Sequence, residues 1–195
     1  MLPDRDECKT EHALLIELRQ LYMFLKEQFR QKWDRELPFE EMLFDRWERA
    51  KDLGFAEGSS IYQSSYVYGD VKVGKGAWIG PFTLLDGSGT LIIGAYCNIS
   101  TGVQIYTHDT VKRALTGGIA PIEHAPVIIG DCCYIGPQTV VTKGVNIGSH
   151  SVIGACSLVN KDIPPYSTAA GIPCRVIGDI EIDESDVKFH HIKDD

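Results

Sequence analysis

No window of this 195-residue chain approaches the ~18 consecutive apolar residues of a membrane span. Its first residues, MLPDRDECKTEH, carry no apolar segment of the secretory kind. No run rich in Lys or Arg occurs and the net charge is −8, which sets aside nucleic acid and anionic membrane as partners. The six cysteines (Cys8, Cys97, Cys132, Cys133, Cys156 and Cys174) form no CxxC and show no metal-ligand spacing, so reduced structural thiols and no metal are expected. These absences describe a cytoplasmic protein without membrane insertion. What is present, 44% apolar and 24% charged residues, suits one or two compact cores.

Residues 10 to 54 read as helix. Leu14, Leu18, Leu21, Leu25 and Phe29 recur at threes and fours among charged residues, one apolar stripe on a helix surface. Pro38 interrupts it. A second stripe of Leu43, Trp47, Ala50 and Leu53 ends at Gly54, a good C-terminal stop. The expected organisation is an N-terminal helical region over 1–65, a repeat domain over 66–178 and a tail over 179–195.

From residue 66 a period of six takes over. Val67, Val73, Ile79 and Leu85 are six apart; after two extra residues Ile93, Ile99 and Ile105 follow, then Ile129, Ile135, Val141, Ile147, Ile153 and Val159. Four residues after each stands a mostly small residue: Val71, Ala77, Thr83, Cys97, Val103, Cys133, Thr139, Val145, Ser151 and Ser157. Neither helical amphipathicity nor hairpin alternation gives a strict six. A coil of short strands does: each hexad makes one flat side, its aliphatic residue points to the axis, and stacked coils bury a core that no single coil could form. The fold expected is an all-β parallel solenoid with an N-terminal helical extension.

The count breaks at Val103-Gln104-Ile105-Tyr106-Thr107-His108-Asp109 and does not resume until after Ala125-Pro126. The stretch 109–126 is too long for a corner, so it should be an excursion from the coil, and long excursions in compact folds are often functional. His108 stands where it begins and His124 near its end. Taken alone, a histidine at a strand end fits a structural role at least as well as a chemical one. His12, His150, His190 and His191 read as surface residues.

Hexads such as Ile147-Gly148-Ser149-His150-Ser151-Val152, the run Val159-Asn160-Lys161-Asp162-Ile163-Pro164-Pro165 and the segment Ala170-Gly171-Ile172-Pro173-Cys174-Arg175-Val176-Ile177 resemble the hexapeptide-repeat acyltransferases. The C-terminal run is similar to their sugar O-acetyltransferase branch, which includes galactoside, maltose and nodulation acetyltransferases. The resemblance covers roughly residues 66 to 178. It implies a left-handed parallel β-helix, a homotrimer, and acetyl-CoA as co-substrate in a groove between neighbouring β-helices. It implies too that His108 is the general base toward an acceptor hydroxyl, a role an imidazole titrating near neutrality suits.

Along the cofactor path the resemblance implies Tyr134 near the thioester, Pro137, Ala155 and Asn160 along the pantetheine and adenine, and Lys161 and Arg175 at the phosphates. Pro137 replaces a hydroxyl residue there, and Gly178 stands where a second arginine often helps. On the acceptor side Asp86 and Ser88, in the insertion Asp86-Gly87-Ser88-Gly89, offer partners for sugar hydroxyls, with a glycine turn as the alternative. Asp109 orients His108, binds acceptor hydroxyls or, as readily, is a loop carboxylate in water. Gly80 replaces an asparagine of the galactoside enzymes, so the acceptor stays open between a sugar or glycan precursor and a non-sugar such as serine or a xenobiotic. A zinc carbonic anhydrase on the same coil needs three converging histidines, a spacing His108, His124 and His150 do not show. A non-catalytic trimeric scaffold is the remaining alternative.

Overall fold

The computed structural model describes residues 5–184 and 186–191, with side chains from residue 12 onward; Cys8 lies outside the described side chains. The chain divides into two units, residues 1–45 and 46–195. In the first, α1 (Arg5–Trp33) and α2 (Phe39–Leu43) are separated at Pro38, which stands as N-cap of α2 because its missing N–H and fixed φ suit a helix start. Tyr22 meets Phe39 edge-to-face at 5.9 Å and Lys26 bonds Glu36 at 2.5 Å, folding the connecting segment back along α1.

The second unit opens with α3 (Arg46–Asp52), followed by β1 (Ser60–Ile61), β2 (Tyr66–Val73), β3 (Trp78–Ile79), β4 (Leu84–Ile93), β5 (Asn98–Ile99), β6 (Gln104–Ile105) and β7 (His108–Asp109). After α4 (Val111–Leu115) come β8 (Glu123–His124), β9 (Val127–Ile129), β10 (Tyr134–Ile135), β11 (Val140–Val141), β12 (Asn146–Ile147), β13 (Val152–Ile153) and β14 (Leu158–Val159). The chain ends in β15 (Ser167–Gly171), β16 (Cys174–Asp183) and β17 (Asp186–His191).

These strands form the sides of a parallel solenoid. One ladder runs β1-β3-β5-β10-β13-β15; the other runs β12-β9-β4-β6-β11-β14, with β2 beside β4. Ile135 pairs with Ile153 and Val141 with Val159, so one turn takes 18 residues, three hexads. The aliphatic column is the core: Ile79, Leu85, Ile99, Ile105, Ile135, Val141, Ile153 and Val159 are all fully buried. The small column packs inside it, and its serines bond the backbone, with the Ser151 hydroxyl donating to Pro164 O at 2.9 Å and that of Ser157 to Gly154 O at 2.7 Å. Glycine after the aliphatic residue is required where turns touch: a Cβ on Gly148 would lie 2.3 Å from Pro165 N. Ile135→Ala, which empties the column between Ile99 and Ile153, is expected to cost about 2–5 kcal/mol, read as a lowered unfolding midpoint.

Three features differ from the sequence expectations. The coil starts at Ser60 rather than 66, because Ile61 already continues the count six residues before Val67 and is fully buried. The second apolar stripe is two short helices, since the chain turns extended at Phe44; only Ala50 of α3 is buried, and Trp47 stays 49% exposed. Arg49 ties α3 to the first turn by bonding Tyr62 O and, at 2.8 Å, Ser65 O. The tail carries regular structure that the hexad count does not include: β16 and β17 add antiparallel strands to the end of the first ladder. Gly54, with φ +74°, ends the helical part as expected. The five described cysteines are free thiols.

Candidate active site

The excursion is an insertion into an otherwise continuous ladder. The chain leaves after Thr107 and returns at Ala125, whose N–H donates to Thr107 O at 2.9 Å and closes the neck. Above the neck β7 and β8 pair antiparallel, His108 opposite His124 and Asp109 opposite Glu123, and α4 stands beyond them.

His108 is held from beneath. Its Nδ1 lies 2.6 Å from Oδ2 of Asp86, which is 1% exposed. The carboxylate can only accept, so Nδ1 carries the hydrogen and the lone pair is left on Nε2 of a side chain 34% exposed. Thr107 N–H donates to Asp86 Oδ2 at 2.8 Å; Ser88 donates to Oδ1 from its N–H at 2.9 Å and its hydroxyl at 2.5 Å. Burial alone would raise the Asp86 pKa. The Ser88 hydroxyl, the Ser88 and Thr107 N–H groups and His108 outweigh it and hold the carboxyl well below its usual range.

Asp86 and Ser88, expected to offer partners for acceptor hydroxyls, are engaged here with each other and with His108. Asp86 turns inward because the two-residue insertion after Leu85 lets Leu85, Asp86 and Gly87 all be buried. Both of its oxygens are taken, and the Ser88 hydroxyl is spent on one of them. The glycines serve packing: a Cβ on Gly87 would lie 2.4 Å from Asp70 O, and one on Gly89 would lie 2.6 Å from Thr107 O at the neck. Asp109 does not reach the His108 ring; its Oδ1 accepts from Val111 N–H at 3.0 Å and its Oδ2 meets Lys143 at 3.2 Å. Those two groups, Val111 N–H first, keep its pKa low. The His124 ring lies 5.9 Å from that of His108, centroid to centroid.

A cavity of about 450 Å³ opens beside His108, bounded by Tyr106, Asp109, Val111, Thr142 and Lys143. Thr142 and Lys143 were not anticipated. They follow β11 as Tyr106 and Thr107 follow β6 and as Asn160 and Lys161 follow β14, and the ladder bonds Tyr106 N–H to Val141 O and Thr142 N–H to Val159 O. Asn160 and Lys161 therefore stand on the corner of His108, two rungs or about 10 Å along the axis. Pro137 and Ala155 sit at the turns that lead into β11 and β14, bordering the other edge of the same flat side. Tyr134, 41% exposed, points outward from the adjoining β10. Arg175 is exposed on β16, its guanidinium on Cys174 O at 2.7 Å. Among the described residues, no group of three His, Cys, Asp or Glu could hold a metal ion, and no helix is long and apolar enough to cross a membrane.

Six-residue repeats wound into a parallel coil, interrupted once and carrying an oriented imidazole at the interruption, are the build of a coil-fold transferase. Residues 126–161 match the family described as bacterial transferase hexapeptide (six repeats). The chain is 35% identical to galactoside O-acetyltransferase of Escherichia coli (strain K12) over 144 residues, 63% of this chain and 68% of that one. The crystal structure of a hexapeptide-repeat-containing acetyltransferase of Vibrio cholerae O1 biovar eltor, complexed with acetyl coenzyme A, aligns with a TM-score of 0.54 at 26% identity, over 86% of this chain and 89% of that chain. A maltose O-acetyltransferase from Clostridium difficile 630 aligns with a TM-score of 0.53 at 29% identity, over 87% and 89%. The chain belongs to the hexapeptide-repeat transferase family, in its sugar O-acetyltransferase branch. It is an acyltransferase, and its solenoid is the left-handed parallel β-helix of that family.

Proposed function

We propose that this chain moves the acetyl group of acetyl-CoA directly to a hydroxyl of a sugar or glycan precursor, with His108 as general base. The observation that carries the reading is the His108–Asp86 pair: a buried carboxylate fixes the Nδ1–H tautomer and leaves the lone pair on Nε2 of a residue that lines the open cavity. The acceptor hydroxyl gives its proton to Nε2 as its oxygen attacks the thioester carbonyl. The tetrahedral intermediate then expels the CoA sulfur, which takes that proton from the imidazolium. No acyl-enzyme is needed.

Lys161 and Arg175, both exposed cations, would meet the CoA phosphates; Asn160, Ala155 and Pro137 would line the path between, and Tyr134 would cover the thioester end. The common corner of His108, Thr142 and Asn160 supports that path, since it puts the base and the phosphate cation Lys161 along one line. The complex of the Vibrio relative with acetyl coenzyme A supports the donor, and the names of the Escherichia and Clostridium proteins support a sugar acceptor. The working form proposed is a cytoplasmic homotrimer.

The test is free CoA release from acetyl-CoA in the presence of galactosides, maltosides, amino sugars, serine or a hydroxylated xenobiotic, with His108→Ala as the blank. Release driven by a sugar supports the reading. Release with serine or the xenobiotic alone overturns the acceptor, and absence of acetyl-CoA binding by calorimetry makes the protein a scaffold.

A further inference from the structure

Asp109 and Glu123 face each other across the antiparallel pair β7–β8, one residue beyond the facing His108 and His124. Like charges directly opposite in such a pair destabilise it, and a ladder of two residues on each side has little to set against that. Lys143 lies between the two carboxylates, its Nζ 3.2 Å from Asp109 Oδ2 and 3.3 Å from Glu123 Oε2. Lys112 takes the other oxygen of Glu123 at 2.5 Å. The two lysines differ in where they come from. Lys112 belongs to α4, inside the excursion, and ties the hairpin only to itself. Lys143 follows β11 in the coil and is 25% exposed, so it ties both legs of the excursion to the rigid ladder.

We propose that Lys143 is a positioning residue, a clasp that neutralises the facing Asp109 and Glu123 and so holds the foot of the excursion, and with it His108, in register over Asp86. Removing Lys143 leaves two carboxylates opposed at the first rung above the base. The rung then opens, and His108 shares its backbone with that rung. Lys143 borders the cavity, but both of its near partners are protein carboxylates, which assigns its charge to the excursion and not to the acceptor.

The inference rests on the acetyl-transfer reading for its activity readout, and the test separates the two. Lys143→Met is expected to lower kcat by about 10- to 100-fold, the cost of a small misplacement of the base, with the KM for acetyl-CoA within about two-fold of the parent. Lys143→Arg, which keeps the charge, should retain most of the activity. Adding Glu123→Gln to Lys143→Met removes one of the opposed charges and should recover a substantial part of the loss. Hydrogen exchange of residues 108–125 is measured on the same proteins and needs no substrate: it should quicken in Lys143→Met and slow again in the double variant. Unchanged exchange in Lys143→Met overturns the clasp whatever the activity. Loss of activity in Lys143→Met and Lys143→Arg alike, with no recovery on adding Glu123→Gln, also overturns it, assigning Lys143 to the acceptor. Quickened and restored exchange in a protein whose parent releases no CoA supports the clasp and defeats only the acetyl-transfer reading.

Discussion

His108→Ala is expected to lower turnover by about 10²- to 10⁴-fold, the usual contribution of a positioned general base. The KM for acetyl-CoA should stay close to that of the parent, because the groups that would hold the cofactor lie elsewhere on the coil, at Asn160, Lys161 and Arg175. The residual rate reflects what holding two substrates together does without proton removal. Stability should change little, since the ring is 34% exposed and its loss leaves Asp86 with the donors of Ser88 and Thr107. A His108→Ala protein with near-parental turnover on its true acceptor would end the general-base assignment. The measurement is steady-state CoA release together with an unfolding curve.

Asp86→Asn should be nearly as damaging, for a different reason. An amide is isosteric with the carboxylate but brings a donor where Asp86 only accepts. At the Oδ2 side that donor would face His108 Nδ1, so the imidazole would have to accept there and carry its hydrogen on Nε2. A base so arranged cannot take the acceptor proton. The corresponding Asp-to-Asn change in serine-protease triads costs about 10⁴-fold by the same tautomer error, which sets the upper end of the expected loss. Binding of acetyl-CoA should be retained. Stability should fall as well, by about 1–3 kcal/mol, because N–H and hydroxyl donors in a buried site lose an ionised acceptor.

The same carboxylate gives a pH signature. Its folded pKa is depressed, so its stabilisation is fully present above the unfolded value of about 3.9 and is lost as pH falls below that toward the folded value. The parent should lose stability steadily on acidification below about pH 4, and Asp86→Asn, less stable at neutrality, should show a flatter curve across that window. Parallel curves would show that Asp86 is not ionised in the fold.

Much of this was legible in the sequence because the repeat is strict. Every member of the aliphatic column from Val73 onward is buried, and the column four residues later packs inside the coil beside it. The chain leaves the coil after Thr107 and returns at Ala125, with His108 as the first residue of the excursion. What escaped reading depends on distance across turns. Asp86 and His108 are 22 residues apart and meet only because the insertion after Leu85 turns a carboxylate inward beneath the neck. A two-residue insertion with glycines looks the same whether it faces solvent or the core. Thr142 and Lys143 become neighbours of His108 only when three hexads are assigned to each turn and the excursion is removed from the count, a geometry the period of six does not contain. The tail was missed because β16 and β17 pair antiparallel, which leaves no hexad to count; only the alternation of Val176, Gly178 and Ile180 hints at it.

The hydrogen bond from Ala125 to Thr107 separates two kinds of constraint within one chain. Below it the ladder passes from one turn to the next as though nothing had been added, and Asp86, which fixes the tautomer of His108, lies on that side. Above it is a stretch of chain that can lengthen, shorten or change composition while the coil keeps its phase. His108 stands at the junction of the two, its imidazole seated on the rigid ladder from beneath and its backbone joined to the part that can vary.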